Sequence, residues 1–367
     1  MSLNRSLIAP TFHPPLEQAL RQKLARRNEA AGSLGELEPL AVRLGLMQNT
    51  LKPRLHTPQL AVFAGDHGLV VDGIVPPETT STSEQVQALI TAHTPLAVFA
   101  HIQGMGLTVV DCGLADPMPH HALLLSRKIA HGTRNSRVGV AMSIDQAQAA
   151  IRAGMEISDV LPGNVLACAG VGIGAHESAS LVMARLAERP VAAFVADGRA
   201  PPTETMLAVL EAARARHQTV SDPVEVLAAF GGFEVAMMVG AMLVAASKRH
   251  LIMVDGMAAC AALLVASRIA APVTDYAVFC RSTAHAGLDQ ALAVLRSNAL
   301  LELGMDATDG TGATLTWPLV HAAAALLTEV SEGEDTGPTL LSGTTIVPTL
   351  DSIVDTPPPA PAGTTEP

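Results

Sequence analysis

The segment Thr308-Asp309-Gly310-Thr311-Gly312-Ala313 places one carboxylate among small residues just ahead of an apolar stretch, Leu315 to Leu327, that reads as a helix. A carboxylate held at a helix entrance with little steric cover can take a proton as a general base, or can simply cap the helix. A second segment, Gly170-Val171-Gly172-Ile173-Gly174-Ala175-His176-Glu177-Ser178, carries glycines at alternate positions before a helix start. Backbone N–H groups converging there, with the positive end of the helix, can hold an anion such as a phosphate. The spacing is neither a dinucleotide fingerprint nor a P-loop, and glycine-rich strand-to-helix turns also occur without a ligand.

Such loops need rigid strands to position them. Four short apolar runs end on an aspartate beside or near a glycine: Leu60 to Asp66, Leu107 to Asp111, Val191 to Asp197 and Leu251 to Asp255. Each is rich in Val, Ile, Leu and Phe and is followed by enough chain for a helical crossover. The expected fold class is therefore α/β, a parallel, Rossmann-like sheet with helices on both faces. Ligands of open parallel sheets sit outside the carboxyl ends of the strands. Asp66, Asp111, Asp197 and Asp255, with their glycines, are expected along one sheet edge, with Gly172, Gly174 and Asp309 bordering a common cleft. The competing reading is that the aspartates cap helices and the glycines make turns.

Composition narrows the function. The chain has 367 residues, of which 49% are hydrophobic and 2% aromatic, so its core is built from Ala, Val, Leu and Met. A net charge of −11 argues against nucleic acid as the partner, since phosphate backbones demand clustered Lys and Arg. Cys112, Cys168, Cys260 and Cys280 lie in apolar surroundings without metal-ligand spacing, and read as buried thiols of a reduced cytoplasmic protein with no structural metal. Met1 to Pro15 lacks the pattern of a signal peptide. Val235 to Ala246 is too short for a membrane span and reads as a core helix, with Glu234 at its start and Lys248, Arg249 and His250 complementing its end. No membrane partner is expected.

Along the chain, Leu16 to Arg27 has helical spacing, and Ser33 followed by Glu36 has the pattern of a capping box. Pro76 to Ser83 is a polar loop suited to a lid or substrate wall, feeding a helix that starts near Ser83. Beyond Val330 the chain turns acidic and then poor in core residues, and the Pro-rich tail over 350–367 is expected to be disordered.

In combination, Gly32-Ser33-Leu34-Gly35, Ala64-Gly65-Asp66-His67-Gly68, Val109-Val110-Asp111-Cys112-Gly113, Gly132-Thr133, Gly231-Gly232-Phe233-Glu234, Val254-Asp255-Gly256 and Asp309-Gly310-Thr311-Gly312-Ala313 resemble a known family in order and spacing. It is the nicotinate-nucleotide:dimethylbenzimidazole phosphoribosyltransferase family, and the likeness spans about residues 16 to 330. The resemblance implies a homodimer that makes the α-ribotide of the cobamide lower ligand from nicotinate mononucleotide and a benzimidazole-type base, without metal or cofactor. It also implies a small helical domain assembled from both chain ends. Residues 1–57 then form its N-terminal segment, 58–300 the α/β core, and 301–349 a C-terminal helical segment carrying the catalytic loop.

In that reaction the donor carries nicotinate as a pyridinium on ribose C1′, the sugar becomes oxocarbenium-like as nicotinate leaves, and a base nitrogen attacks from the opposite face. A carboxylate must take the N–H proton and offer negative charge near the sugar. The family uses a glutamate, and the matching position here is Asp309, one methylene shorter. The resemblance further points to Gln85 as a hydrogen-bonding partner of the base, and to Gly172, Gly174, His176, Arg281, Thr283, Gly310 and Gly312 as substrate-contacting positions. His67 beside Asp66 would orient the strand-end loops, and Glu234 would belong to the architecture.

Departures from the family cluster where ligands belong. The phosphate-loop glutamate position is Gly170, the family's Asn-Thr-Thr is Ala175-His176-Glu177, and the family's phosphate-binding lysine aligns with Met206. Losing that lysine removes a charge-assisted contact of about 1.5–3 kcal/mol. Arg281, or His285 in the same segment, is the candidate replacement. Three readings follow: the standard transferase, a diverged paralogue with another donor or acceptor, and a non-catalytic protein that binds a base or nucleotide. Nicotinate mononucleotide is expected to bind more weakly than is typical of the family.

Overall fold

The structure, a computed structural model, describes residues 8–196 and 202–330, apart from the side chains of 28–31. Six strands form one sheet: β1 (Gln59–Gly65), β2 (Gly106–Gly113), β3 (Leu124–Ser126), β4 (Val165–Val171), β5 (Leu251–Asp255) and β6 (Ala277–Cys280). Their spatial order is β3-β2-β1-β4-β5-β6, and every neighbouring pair is parallel. Strands β1, β4 and β5 are buried along their whole length. That is why they appear in the sequence as continuous apolar runs rather than alternating ones. The chain moves outward from β1 to β2 and β3, then returns to place β4 on the other side of β1. The gap between the ends of β1 and β4 is therefore the point where strand order reverses, the usual ligand position in such sheets.

The helices are α1 (Pro14–Ala31), α2 (Leu37–Gln48), α3 (Thr82–Ile90), α4 (Pro95–Ile102), α5 (Ile144–Val160), α6 (Ala175–Leu186), α7 (Glu204–Arg216), α8 (Pro223–Phe230), α9 (Phe233–Ser247), α10 (Met257–Ile269), α11 (Ala286–Val294) and α12 (Thr311–Thr328). Helix α9 packs on β1, β2, β4 and β5 and is covered in turn by α5. This explains why α9 is apolar all round. Both chain ends meet where α12 packs on α2 and α1, and the Arg27 guanidinium donates to the Leu326 carbonyl across that contact. Helix starts follow local chemistry: Ser81 and Glu84 form a reciprocal capping box on α3, Ser143 and Gln146 another on α5, and the Asp222 carboxylate accepts from Val224 and Glu225 N–H at α8.

Several expectations need correction. The run from Val191 is not a strand: Val191–Ala193 is one 3₁₀ turn and residues 194–196 are irregular, while Asp197 lies outside the described residues. Val191 and Phe194 are apolar because they are buried in the core. The missing fourth strand is β4, at the head of the glycine-rich segment. Ser33 and Glu36 form no capping box; α2 starts at Leu37, and it is the Glu38 carboxylate that accepts from Ser33 Oγ at 2.8 Å and Leu34 N–H at 2.8 Å. Lys248 and Arg249 do more than complement α9: Lys248 pairs with Asp159 of α5 at 2.6 Å, and Arg249 donates to the Met47 carbonyl. The expected tail over 350–367 lies outside the described residues. Among the described residues no helix is long and apolar enough to cross a membrane.

Candidate active site

A cleft opens at the carboxyl edge of the sheet beside the end of β4, and it has two lobes. The larger, of about 460 Å³, is walled largely by small and apolar groups, among them Pro95, Val171, Ala175, Met257 and Ala258. The smaller, of about 260 Å³, is walled by Thr79, His176, Glu177, Thr283, His285 and Asp306 on its polar side. Gln85, Gly172, His176, Met257, Asp306, Ala307 and Asp309 line both, so the lobes share one floor. Neither lobe is lined by a lysine or arginine among the described residues.

Asp309 sits at that shared floor. Its loop is fixed from below by Asp255, the last residue of β5, whose carboxylate accepts from Ser282 N–H at 3.0 Å, Ser282 Oγ at 2.7 Å, Gly310 N–H at 3.0 Å and Ala313 N–H at 2.8 Å. Ser282 Oγ in turn accepts from Gly312 N–H at 2.7 Å. Burial raises the Asp255 carboxyl above the usual 3.8, and these four donors oppose that shift by favouring its ionised form. By contrast, the Asp309 carboxylate accepts no hydrogen bond among the described residues. Burial, and then the neighbouring Asp255 charge, hold its carboxyl well above the usual 3.8. A carboxylate in these surroundings is a stronger base than a free one.

The glycine-rich loop is anchored from the other side. Asp66, directly after β1, accepts from Thr82 Oγ1 and, at 2.7 Å, from Ala115 N–H. Thr82 Oγ1 accepts from Ile173 N–H at 3.0 Å, tying the loop to α3. Gly172 is required by proximity, because a Cβ there would stand 2.0 Å from the Gly65 carbonyl oxygen of β1. Behind the loop, His67 Nε2 lies 3.2 Å from Glu234 Oε1, both side chains being 1% exposed. Their separation is that of an ion pair, without hydrogen-bond alignment. Burial disfavours the imidazolium, but Glu234, Asp66 and Glu177 outweigh it and raise the His67 pKa above 6.5.

The structure thus brings Asp309, Gln85, Gly172, Gly174, His176 and Thr283 together around one cleft. Thr283 Oγ1 donates to the Ala307 carbonyl, and Gln85 Nε2 to the Thr80 carbonyl. Gly310 and Gly312 lie under the cleft, bonded to Asp255 and Ser282. Asp111 accepts from Leu114 N–H and pairs with Lys128 at 3.4 Å at the neighbouring strand end. Arg281 is not among the lining residues: its guanidinium is held by Asp289 at 2.6 Å and Glu302 at 2.9 Å. His285 does reach the smaller lobe, although its Nδ1 already accepts from Leu288 N–H. Sequence reasoning did not single out Ser282, Met257 or Asp306. Ser282 sits beside Arg281 in the chain, whereas nothing local marks the other two.

The chain is similar along most of its length to known phosphoribosyltransferases. The profile of a family described as phosphoribosyltransferase matches residues 9–337. The chain is 38% identical over 331 residues to a nicotinate-nucleotide–dimethylbenzimidazole phosphoribosyltransferase of Dechloromonas aromatica, covering 88% of this chain and 95% of that protein. It is 38% identical over 328 residues to the protein of the same name from Cupriavidus taiwanensis, covering 87% and 95%. The crystal structure of the Thermus thermophilus enzyme of that name superposes with a TM-score of 0.79 at 29% identity, covering 86% of this chain and 96% of that one. Matched along most of its length in sequence and in fold, the chain belongs to the nicotinate-nucleotide–dimethylbenzimidazole phosphoribosyltransferase family.

Proposed function

We propose that this protein transfers the phosphoribosyl group of nicotinate mononucleotide to a benzimidazole-type base, giving the α-ribotide of the cobamide lower ligand, with Asp309 as general base. The observation that carries the reading is the position of Asp309: a carboxylate of raised basicity, without a donor of its own among the described residues, at the floor shared by an apolar and a polar lobe. The flat base takes the larger lobe against Met257 and Ala258, and the pentosyl end takes the smaller. As the base nitrogen bonds to C1′, the C1′–N bond to nicotinate breaks with its electron pair leaving on nicotinate, and the N–H proton of the base passes to Asp309. The same carboxylate favours the cationic character that develops on the sugar.

The packing of α1 and α2 on α12 supports the division into an α/β core and a small helical unit drawn from both chain ends. The family resemblance supports a homodimer and a cytoplasmic location, and light scattering tests the first. One observation favours the second reading, a non-catalytic base-binding relative: the smaller lobe presents Glu177 and Asp306 where a donor phosphate would need positive charge. Calorimetry with nicotinate mononucleotide and dimethylbenzimidazole separately decides between them. Binding of both supports the transferase, and binding of the base alone supports the second reading.

A further inference from the structure

Thr82, the first residue of α3, is 1% exposed, and its hydroxyl both gives and receives a hydrogen bond in the cleft wall. It donates to the Asp66 carboxylate, directly after β1, and accepts from Ile173 N–H at 3.0 Å. Asp66 also accepts from Ala115 N–H at 2.7 Å, just beyond β2. A single side-chain oxygen therefore joins α3 to the glycine-rich turn, and a single carboxylate fixes that oxygen to the ends of two strands.

The groups joined in this way belong to the two halves of the cleft. Gly172, Ile173 and Gly174 wall the smaller lobe. Gln85 lines both lobes and lies one helical turn after Thr82, on the same side of α3. The start of α3 is rigid within itself: Ser81 and Glu84 cap it reciprocally, and Gln85 Nε2 donates to the Thr80 carbonyl at 2.8 Å. Outward from residues 80–85, the short side-chain hydrogen bonds among the described residues all run through Thr82 Oγ1. The other outward link, Ser83 Oγ to Asp116, is stretched to 3.4 Å. A rigid block held by one buried hydroxyl shifts together with whatever that hydroxyl holds.

We propose that Thr82 is a positioning residue that couples the two halves of the cleft: a base bound against Gln85 orders the glycine-rich turn, and a donor bound beside the turn orders the start of α3. This rests on the transferase reading above for what occupies each half. Linkage makes the coupling reciprocal. Its size is set by a buried hydroxyl bonded to a charged acceptor, enough for an effect of about tenfold. Asp309 stands outside this arrangement, because its loop is held from Asp255 at the end of β5.

The test is amide hydrogen exchange of the intact protein, Thr82→Val and Thr82→Ser, each with and without dimethylbenzimidazole and no donor. In the intact protein and in Thr82→Ser, which keeps the hydroxyl, the base alone should slow exchange over 172–174 about tenfold. In Thr82→Val the same amides should exchange faster, and the base should not slow them. A merely structural role would speed exchange in Thr82→Val yet leave the slowing by the base intact, which would overturn the proposal. So would no slowing in the intact protein under base concentrations that calorimetry shows to saturate it, or no binding of the base at all; these two outcomes hold even if Thr82→Val folds poorly. In turnover, Thr82→Val should raise KM for both substrates about tenfold with a smaller change in kcat, and a loss confined to kcat would also overturn it. Failure of the transferase reading is seen separately, as absence of α-linked product from the intact protein, since the exchange measurement needs no turnover.

Discussion

The Asp309 carboxylate occupies the space that a side chain at residue 256 would fill: a Cβ on Gly256 would stand 1.8 Å from Asp309 Oδ2 and 2.1 Å from its Cγ. Gly256 also has φ +89°, a conformation L side chains rarely adopt. The glycine after β5 is thus the seat of the proposed base. Gly256→Ala is expected to displace Asp309 by about 1 Å or more and lower kcat on the order of a hundredfold, with a smaller loss of stability from backbone strain. Steady-state kinetics beside a thermal melt check this. Unchanged kcat in a folded variant would mean that the position of Asp309 is irrelevant to turnover.

Asp255 acts on the same carboxylate through charge and through the loop. Asp255→Asn removes the charge that adds to burial in raising the Asp309 pKa, so the acid limb of the pH–rate profile should move to lower pH. In the parent protein turnover should rise with pH through a value above the ordinary 3.8, because Asp309 must be ionised to accept a proton. The variant should also lose about 3 kcal/mol of stability, since donors converging on Asp255 would meet an amide. A pH profile that is the same in both proteins would remove Asp309 from the rate-determining ionisation.

The His67–Glu234 pair predicts a pH-dependent stability. His67 has a raised folded pKa, so its contribution is complete below its unfolded value of 6.5 and is lost as pH rises through the folded value. Glu234→Gln should therefore destabilise the protein by about 3–5 kcal/mol at low pH within the folded range, and by less as pH climbs past the His67 transition. Denaturant melts at several pH values measure the difference, and a gap that widened with rising pH would contradict the assignment.

Arg281 provides a control outside the cleft. Its guanidinium, itself 10% exposed, links Asp289 and Glu302, so Arg281→Ala should lower stability by about 1–3 kcal/mol through lost packing and hydrogen bonds and leave donor affinity unaltered. A large drop in nicotinate mononucleotide binding would show that Arg281 leaves its carboxylates to serve the donor.

The sequence made the central strands legible because β1, β2 and β5 are mostly buried apolar runs that stop at Asp or Gly. It misread Val191 to Asp197 because a short apolar run carries no periodicity to separate a strand from a buried 3₁₀ turn. Strands β3 and β6, of three and four residues, fall below what pattern can detect. Asp309 stood out through its glycine-flanked loop, and Asp255 through its strand end. That one holds the loop of the other is a contact across more than fifty residues, which local spacing does not encode. The same holds for Arg281 and Ser282, adjacent in the chain: Ser282 turns to Asp255 and Arg281 to Asp289 and Glu302.

The most direct measurement is formation of α-linked ribotide from nicotinate mononucleotide and dimethylbenzimidazole by the intact protein and by Asp309→Asn, each at saturating substrate. The account predicts product from the parent protein and a fall in kcat of roughly 10²–10⁴ in the variant, the range for removal of a general base. No product from a parent protein that binds both substrates, or equal turnover by Asp309→Asn, would contradict it.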